Sequence, residues 1–145
     1  MVKLGATTIW ERWEGKNADG TFYSPGMNSF NHYTFGGCGE WMMGYLVGLR
    51  PETPGYKVVH VQPTIVPGLN WAAGSFETPY GTVSNRWERK DDRITMHVII
   101  PPNSTARVVL SSAAKSITLQ GKPVSLSQTG GLEVGSGSHE FTWAE

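Results

Sequence analysis

The stretch TIWERWEG, residues 8–15, places two tryptophans, two glutamates and an arginine within eight positions. That mixture suits carbohydrate chemistry. Indole faces stack on the apolar face of a pyranose, while a neighbouring carboxylate binds hydroxyls or a water. A carboxylate set against apolar rings is also poorly hydrated, a setting that favours general acid or base work. Glu11 is the candidate acid–base group, with Trp10 and Trp13 as candidate walls. The same pattern also describes a structural strand end, and composition alone favours that reading.

A second copy of the centre, NRWERK at residues 85–90, continues the alternating run GTVSNRWERK. In a strand, Val83, Asn85, Trp87 and Arg89 share one face and Ser84, Arg86, Glu88 and Lys90 the other. This copy reads as a strand with its charges on the solvated face.

Other chemistry-bearing residues are sparse. His32 stands at the start of an apolar run, where packing or capping is the ordinary role. His60, His97 and His139 lie in alternating runs and read as sheet residues. No histidine pair has metal-ligand spacing, and Cys38 is the single cysteine, so neither a metal site nor a disulfide is expected. The NADG sequence at 17–20 lacks the acids of a calcium loop and reads as a turn. There is no Gly-rich phosphate loop and no serine elbow, and no cofactor is expected.

The elements that must hold Glu11 divide the chain in three. Residues 1–27 are irregular and rich in turn formers. Residues 28–49, NSFNHYTFGGCGEWMMGYLVGL, read as one helix, capped by Asn28 or Ser29 and stopped near Pro51. It is apolar on all sides, so burial on all sides is expected. Its five glycines weaken helix propensity and suggest close backbone neighbours. Residues 56–145 read as short strands separated by turns, with Asp91-Asp92 joining two of them, which points to an antiparallel β-sandwich. A single sandwich covers one face of a helix. The remaining cover must come from elsewhere in a larger protein, or from self-association through the exposed helix.

The 145 residues carry 12 basic and 12 acidic side chains and six tryptophans. A neutral chain offers no electrostatic footprint for nucleic acid or an anionic membrane. The opening MVKLGATTIW lacks the apolar core of a signal peptide, which makes the cytoplasm the default expectation.

Three ordered motifs carry a more specific signal: GATTIWERWEG, then MNSFNHYTFGGCGEWMMGYLVGLRP, then FETPYGTVSNRW. In order and spacing they resemble the C-terminal end of bacterial α-L-rhamnosidases of glycoside hydrolase family 78, up to about residue 110. The resemblance implies that residues 1–50 are the terminal segment of an (α/α)6 barrel, loop plus last helix. Residues 51–145 would be the C-terminal β-sandwich. It implies inverting hydrolysis of terminal α-L-rhamnosides, with Glu11 at the position of the general base and His32 at that of a sugar-pocket histidine. Trp13 and Trp10 would shape the pocket wall. An inverting site needs a second carboxyl group roughly 6.5–9.5 Å from the base. Glu14 and Asp19 do not match the family's acid, so this chain alone is expected to be inactive. A rhamnosyl sugar is the implied ligand of the full-length parent. The alternative is a non-catalytic β-sandwich module that binds carbohydrate or a partner protein.

Overall fold

Period-two alternation of apolar and polar residues dominates the chain beyond residue 56, and there it folds into strands. The computed structural model describes residues 1–24, 26, 29–126 and 131–145. The chain forms two compact units, Met1–Glu40 and Trp41–Glu145.

The second unit is a β-sandwich. Its strands among the described residues are β1 (Leu49–Pro51), β2 (Val58–Val61), β3 (Trp71–Thr78), β4 (Gly81–Lys90), β5 (Arg93–Ile100), β6 (Thr105–Val109), β7 (Lys115–Leu119), β8 (Lys122–Pro123), β9 (Gly131–Val134) and β10 (Gly137–Ala144). One sheet has the order β1-β2-β6-β9 and the other β3-β4-β5-β10-β7-β8. Among the described residues the strands pair antiparallel except β2 and β6, which run parallel from Val58↔Thr105 to Val61↔Val108.

The inner faces of both sheets share one core. Val59, Val61, Ala106 and Val108 meet Val83, Trp87, Ile94, Met96, Val98, Phe141 and Trp143 in a single buried cluster. Along β4 and β5 the burial alternates as the sequence pattern requires. The two-residue Asp91-Asp92 connection closes their hairpin, with Asp91 at φ 56°, a left-handed setting that aspartate tolerates.

Not every strand shows this alternation. β1 holds Pro51, which a sheet accepts here because β1 is an edge strand. β8 has two residues and β9 four, too short for any period to emerge.

The helical stretch starts later than the sequence suggests, at Tyr33 instead of residue 28. Residues 29–32 are already committed as partners of residues 8–11. The Ser29 carbonyl accepts the Glu11 N–H and the Ser29 N–H donates to the Glu11 carboxylate, the Phe30 carbonyl accepts the Thr8 hydroxyl, and His32 N–H donates to Ile9 C=O at 2.9 Å. Ser29 Oγ accepts from Asn31 N–H at 3.4 Å and caps no helix, while Asn28 lies outside the described residues.

The stretch is also not uniform. A 3-10 turn (Tyr33–Gly36) leads into α1 (Gly37–Trp41), and then into a wider π turn (Met42–Val47). Gly48, at φ 80°, ends it before Pro51 is reached. A Cβ at Gly48 would overlap the backbone of Gln62 and Pro63. The expected close approach therefore holds at this glycine. Around Gly36, Gly37 and Gly39 there is open space.

Burial of the stretch is one-sided. Only Gly44 and Val47 of the π turn are buried, and Tyr33, Phe35, Trp41, Met42 and Tyr45 are exposed. Two side chains from the inner face of β4 hold its end. Trp87 Nε1 donates to Leu46 C=O and Asn85 Nδ2 to Val47 C=O, each at 2.6 Å.

Candidate functional site

The first unit has little regular structure, so its shape rests on side chains. A tight turn at residues 17–21 starts the framework. Asp19 accepts the Thr21 N–H at 2.9 Å and the Thr21 hydroxyl at 2.6 Å, and Gly20 takes φ 86°. The Thr21 hydroxyl, and then its N–H, hold the Asp19 carboxyl below the ordinary carboxylate range.

That turn brings Lys16 opposite Phe22. Phe22 leans on Phe30 at 5.4 Å, and Phe30 meets Trp10 edge-on at 4.8 Å. Lys16 Nζ stands 5.6 Å from the Phe30 ring centre and 5.9 Å from that of Trp10. Trp10 is 4% exposed, which makes it the anchor of the unit.

Glu11 follows the anchor directly. Its N–H donates to Ser29 C=O at 2.8 Å, and its Oε2 accepts the Ser29 N–H at 3.0 Å. One residue thus fixes both the backbone and one carboxylate oxygen. Oε1 has no hydrogen-bond partner among the described residues.

Glu11 lines a cavity of about 490 Å³ together with Trp10, Trp13, Ile9, Thr34, Phe35 and Cys38. Trp13 is 79% exposed, so its indole is free to act as a wall. His32 does not line this cavity. Its ring packs 5.1 Å from that of Phe35, which does, and 6.1 Å from that of Tyr33. Of the four residues singled out in the sequence, three share one cavity and His32 stands behind its wall. Phe35 and Cys38 were not anticipated. Their spacing of three on a helical stretch, facing the same way, was the available signal.

A carboxylate held by one oxygen, beside aromatic walls, is suited to orienting a water or hydroxyl against a stacked sugar ring. No group of three or more His, Cys, Asp or Glu side chains among the described residues is placed to hold a metal.

The second Trp-Glu-Arg has a different fate. Trp87 is a fully buried core residue and a helix clamp. Glu88 pairs with Arg86 and Arg89 with Glu145 at the surface. The sandwich histidines are equally structural. His60 bonds Glu52 at 2.6 Å and Gln62 at 2.9 Å, His97 stands 3.7 Å from Glu140, and His139 contacts the Gly135 carbonyl at 2.8 Å.

Comparison with known proteins gives concordant results across both units. Residues 48–124 match the model of the bacterial alpha-L-rhamnosidase C-terminal domain. Residues 1–46 match that of the bacterial alpha-L-rhamnosidase 6 hairpin glycosidase domain. An alpha-L-rhamnosidase of Streptomyces avermitilis is 37% identical over 144 residues, which are 97% of this chain and 14% of the relative. One from Formosa agariphila is 40% identical over 107 residues, 74% of this chain and 12% of the relative. The crystal structure of the Streptomyces avermitilis alpha-L-rhamnosidase complexed with L-rhamnose superposes with a TM-score of 0.81 at 36% identity, covering 97% of this chain and 14% of that one. The chain thus spans 14% and 12% of the lengths of the two curated relatives.

Proposed function

Because the chain belongs to the bacterial α-L-rhamnosidase family of glycoside hydrolases, we propose that it forms the C-terminal part of an inverting hydrolase of terminal α-L-rhamnosides and contributes the general base, Glu11. Residues 1–50 would complete the catalytic barrel and 51–145 would be its C-terminal sandwich.

The observation that carries this reading is the asymmetric anchoring of Glu11. A general base must be fixed, yet keep one oxygen free for the proton it takes. Oε2 is held by Ser29 N–H while Oε1 has no described partner in a cavity walled by Trp10 and Trp13. In the reaction, Oε1 takes a proton from a water whose oxygen bonds to the anomeric carbon. The bond from that carbon to the leaving oxygen breaks on the opposite face, and that oxygen takes a proton from a carboxylic acid. His32 would back the pocket through Phe35, and Trp13 would stack on the sugar.

The acid is the missing half. Glu14 does not line the cavity, and Asp19 is tied to Thr21. We assign the acid to a part of the parent enzyme beyond these 145 residues. The isolated chain should therefore release nothing from an aryl α-L-rhamnoside.

The test is Glu11→Gln in an enzyme that carries this segment within its whole barrel. The expected loss in kcat is about 10²–10⁴-fold, with a smaller change in KM. Proton NMR of the first-formed product should show the β anomer of rhamnose. Retained activity in Glu11→Gln, or an initial α product, overturns the assignment.

A further inference from the structure

We propose that the outer face of the six-stranded sheet carries a second carbohydrate-binding site, built on Trp71, Arg86 and Glu88, that takes a neutral pyranose. The proposal concerns the second unit alone and does not depend on the role of Glu11.

Three tryptophans lie on strands of the sandwich, and they divide sharply. Trp87 and Trp143 are core residues, whereas Trp71, at the start of the edge strand β3, is 56% exposed. A lone exposed apolar residue is ordinary. Its surroundings are what distinguish this one. Arg86 on β4 lays its guanidinium 5.3 Å from the Trp71 ring centre. Glu88, opposite Trp71 in register, accepts from Arg86 Nε at 2.9 Å and from Nη2 as well. An indole, a planar donor and a planar acceptor are therefore held as one group, with more than half of the indole still open.

Beside this group, Ala73, Gly74, Ser75, Ser84, Asn85 and Arg86 line a shallow, open depression of about 290 Å³. Ser75 and Ser84 face each other across the strands, and their hydroxyls have no hydrogen-bond partner among the described residues. Small side chains at the outward positions Ala73, Ser75 and Ser84 leave this depression uncovered.

This chemistry matches a pyranose. The apolar face of the ring stacks on indole, and the hydroxyl rim needs donors and acceptors side by side. Arg86 with Glu88 and the two serines supply both kinds. Glu88 also cancels the charge of Arg86, so an anionic sugar gains no net attraction, and a neutral ring is the fitting occupant.

The test uses the whole chain labelled with nitrogen-15 and titrated separately with L-rhamnose, D-galactose, D-glucose and D-xylose. NMR follows the indole N–H signals and Arg86 Nε–H. The expected result is a saturable shift of the Trp71 and Arg86 signals with at least one of these sugars. Trp71→Ala should weaken that binding by about tenfold or more, and Arg86→Leu by a smaller factor. In Glu11→Gln the same shift should persist. Both sandwich positions are exposed, so the variants should keep the parent circular dichroism spectrum. Absence of any shift at Trp71 with all four sugars overturns the proposal, as does a shift whose affinity is unchanged in Trp71→Ala. A response confined to Trp10 and Trp13 and lost in Glu11→Gln overturns it too, while supporting the Glu11 cavity.

Discussion

The indole N–H of Trp87 donates to the carbonyl of Leu46 at 2.6 Å, and so joins the core of the sandwich to the last turn of the helical stretch. Terminal carbonyls of a helix have no partner within the helix. Asn85 serves the next one, Val47, from two residues away on the same strand face. The spacing of two along β4 matches consecutive carbonyls of the π turn.

This clamp makes Trp87 far more valuable than its sequence neighbour Glu88. Trp87→Phe keeps most of the ring but orphans a part-buried carbonyl, at a cost of about 1–2 kcal/mol. Trp87→Ala should cost about 3–5 kcal/mol. Glu88→Gln removes only an exposed ion pair and should change stability by less than about 1 kcal/mol. Urea unfolding of the three variants measures the order. Equal losses in Trp87→Phe and Glu88→Gln would dismiss the clamp.

The glycines of the helical stretch should separate in the same assay. Gly48→Ala places a Cβ against the Gln62–Pro63 backbone and meets a φ of 80°, so it should lower stability by more than about 1 kcal/mol. Gly37→Ala enters open space in a helical conformation and should raise local helix stability by up to about 1 kcal/mol. Far-ultraviolet circular dichroism together with the melting temperature distinguishes the two outcomes.

Acid should act through Glu52. Its carboxyl lies below the usual glutamate value, chiefly because of the hydrogen bond with His60 and then that with Arg107. A lowered folded value means the contribution is fully present above the unfolded value, near 4.5. It is lost as pH falls through the lower folded value. Glu52→Gln should therefore be less stable than the parent at neutral pH, and the gap should close in acid. A gap that stays constant down to acid pH would rule out this linkage.

Phe30→Ala should loosen the first unit around Trp10. The edge-on contact at 4.8 Å disappears, and with it the base on which Lys16 rests. Trp10 should become exposed, read in the otherwise unaltered chain as faster hydrogen exchange of its assigned indole N–H signal in NMR.

Much of the sandwich was legible because its strands obey one rule. Along β4 and β5, on either side of the Asp91-Asp92 turn, burial has a period of two. β9 was not legible, since four residues with a glycine among them carry no period. The start of the helical stretch was hidden for another reason. Residues 29–32 have helix-compatible side chains, but their backbone groups are taken by residues 8–11, and no local pattern records a partner twenty positions away. The same long-range pairing explains the candidate site. TIWERWEG identifies Glu11 and its aromatic neighbours as a cluster. That Ser29 holds one oxygen of Glu11, and that Phe35 and Cys38 close the cavity, follows only from the chain folding back on itself.

The parallel pairing of β2 with β6 has a consequence for the order of assembly. Val58 cannot meet Thr105 until the intervening chain, which contains β3, β4 and β5, has been gathered in. That meander is built from neighbours joined by short turns, so it closes with little loss of chain entropy. The β2–β6 seam has high contact order and should be among the last to form. Pulsed hydrogen exchange should then find the amides of β4 and β5 protected before those of β2. The seam would act as a latch: the smaller sheet closes only on a larger one already in place.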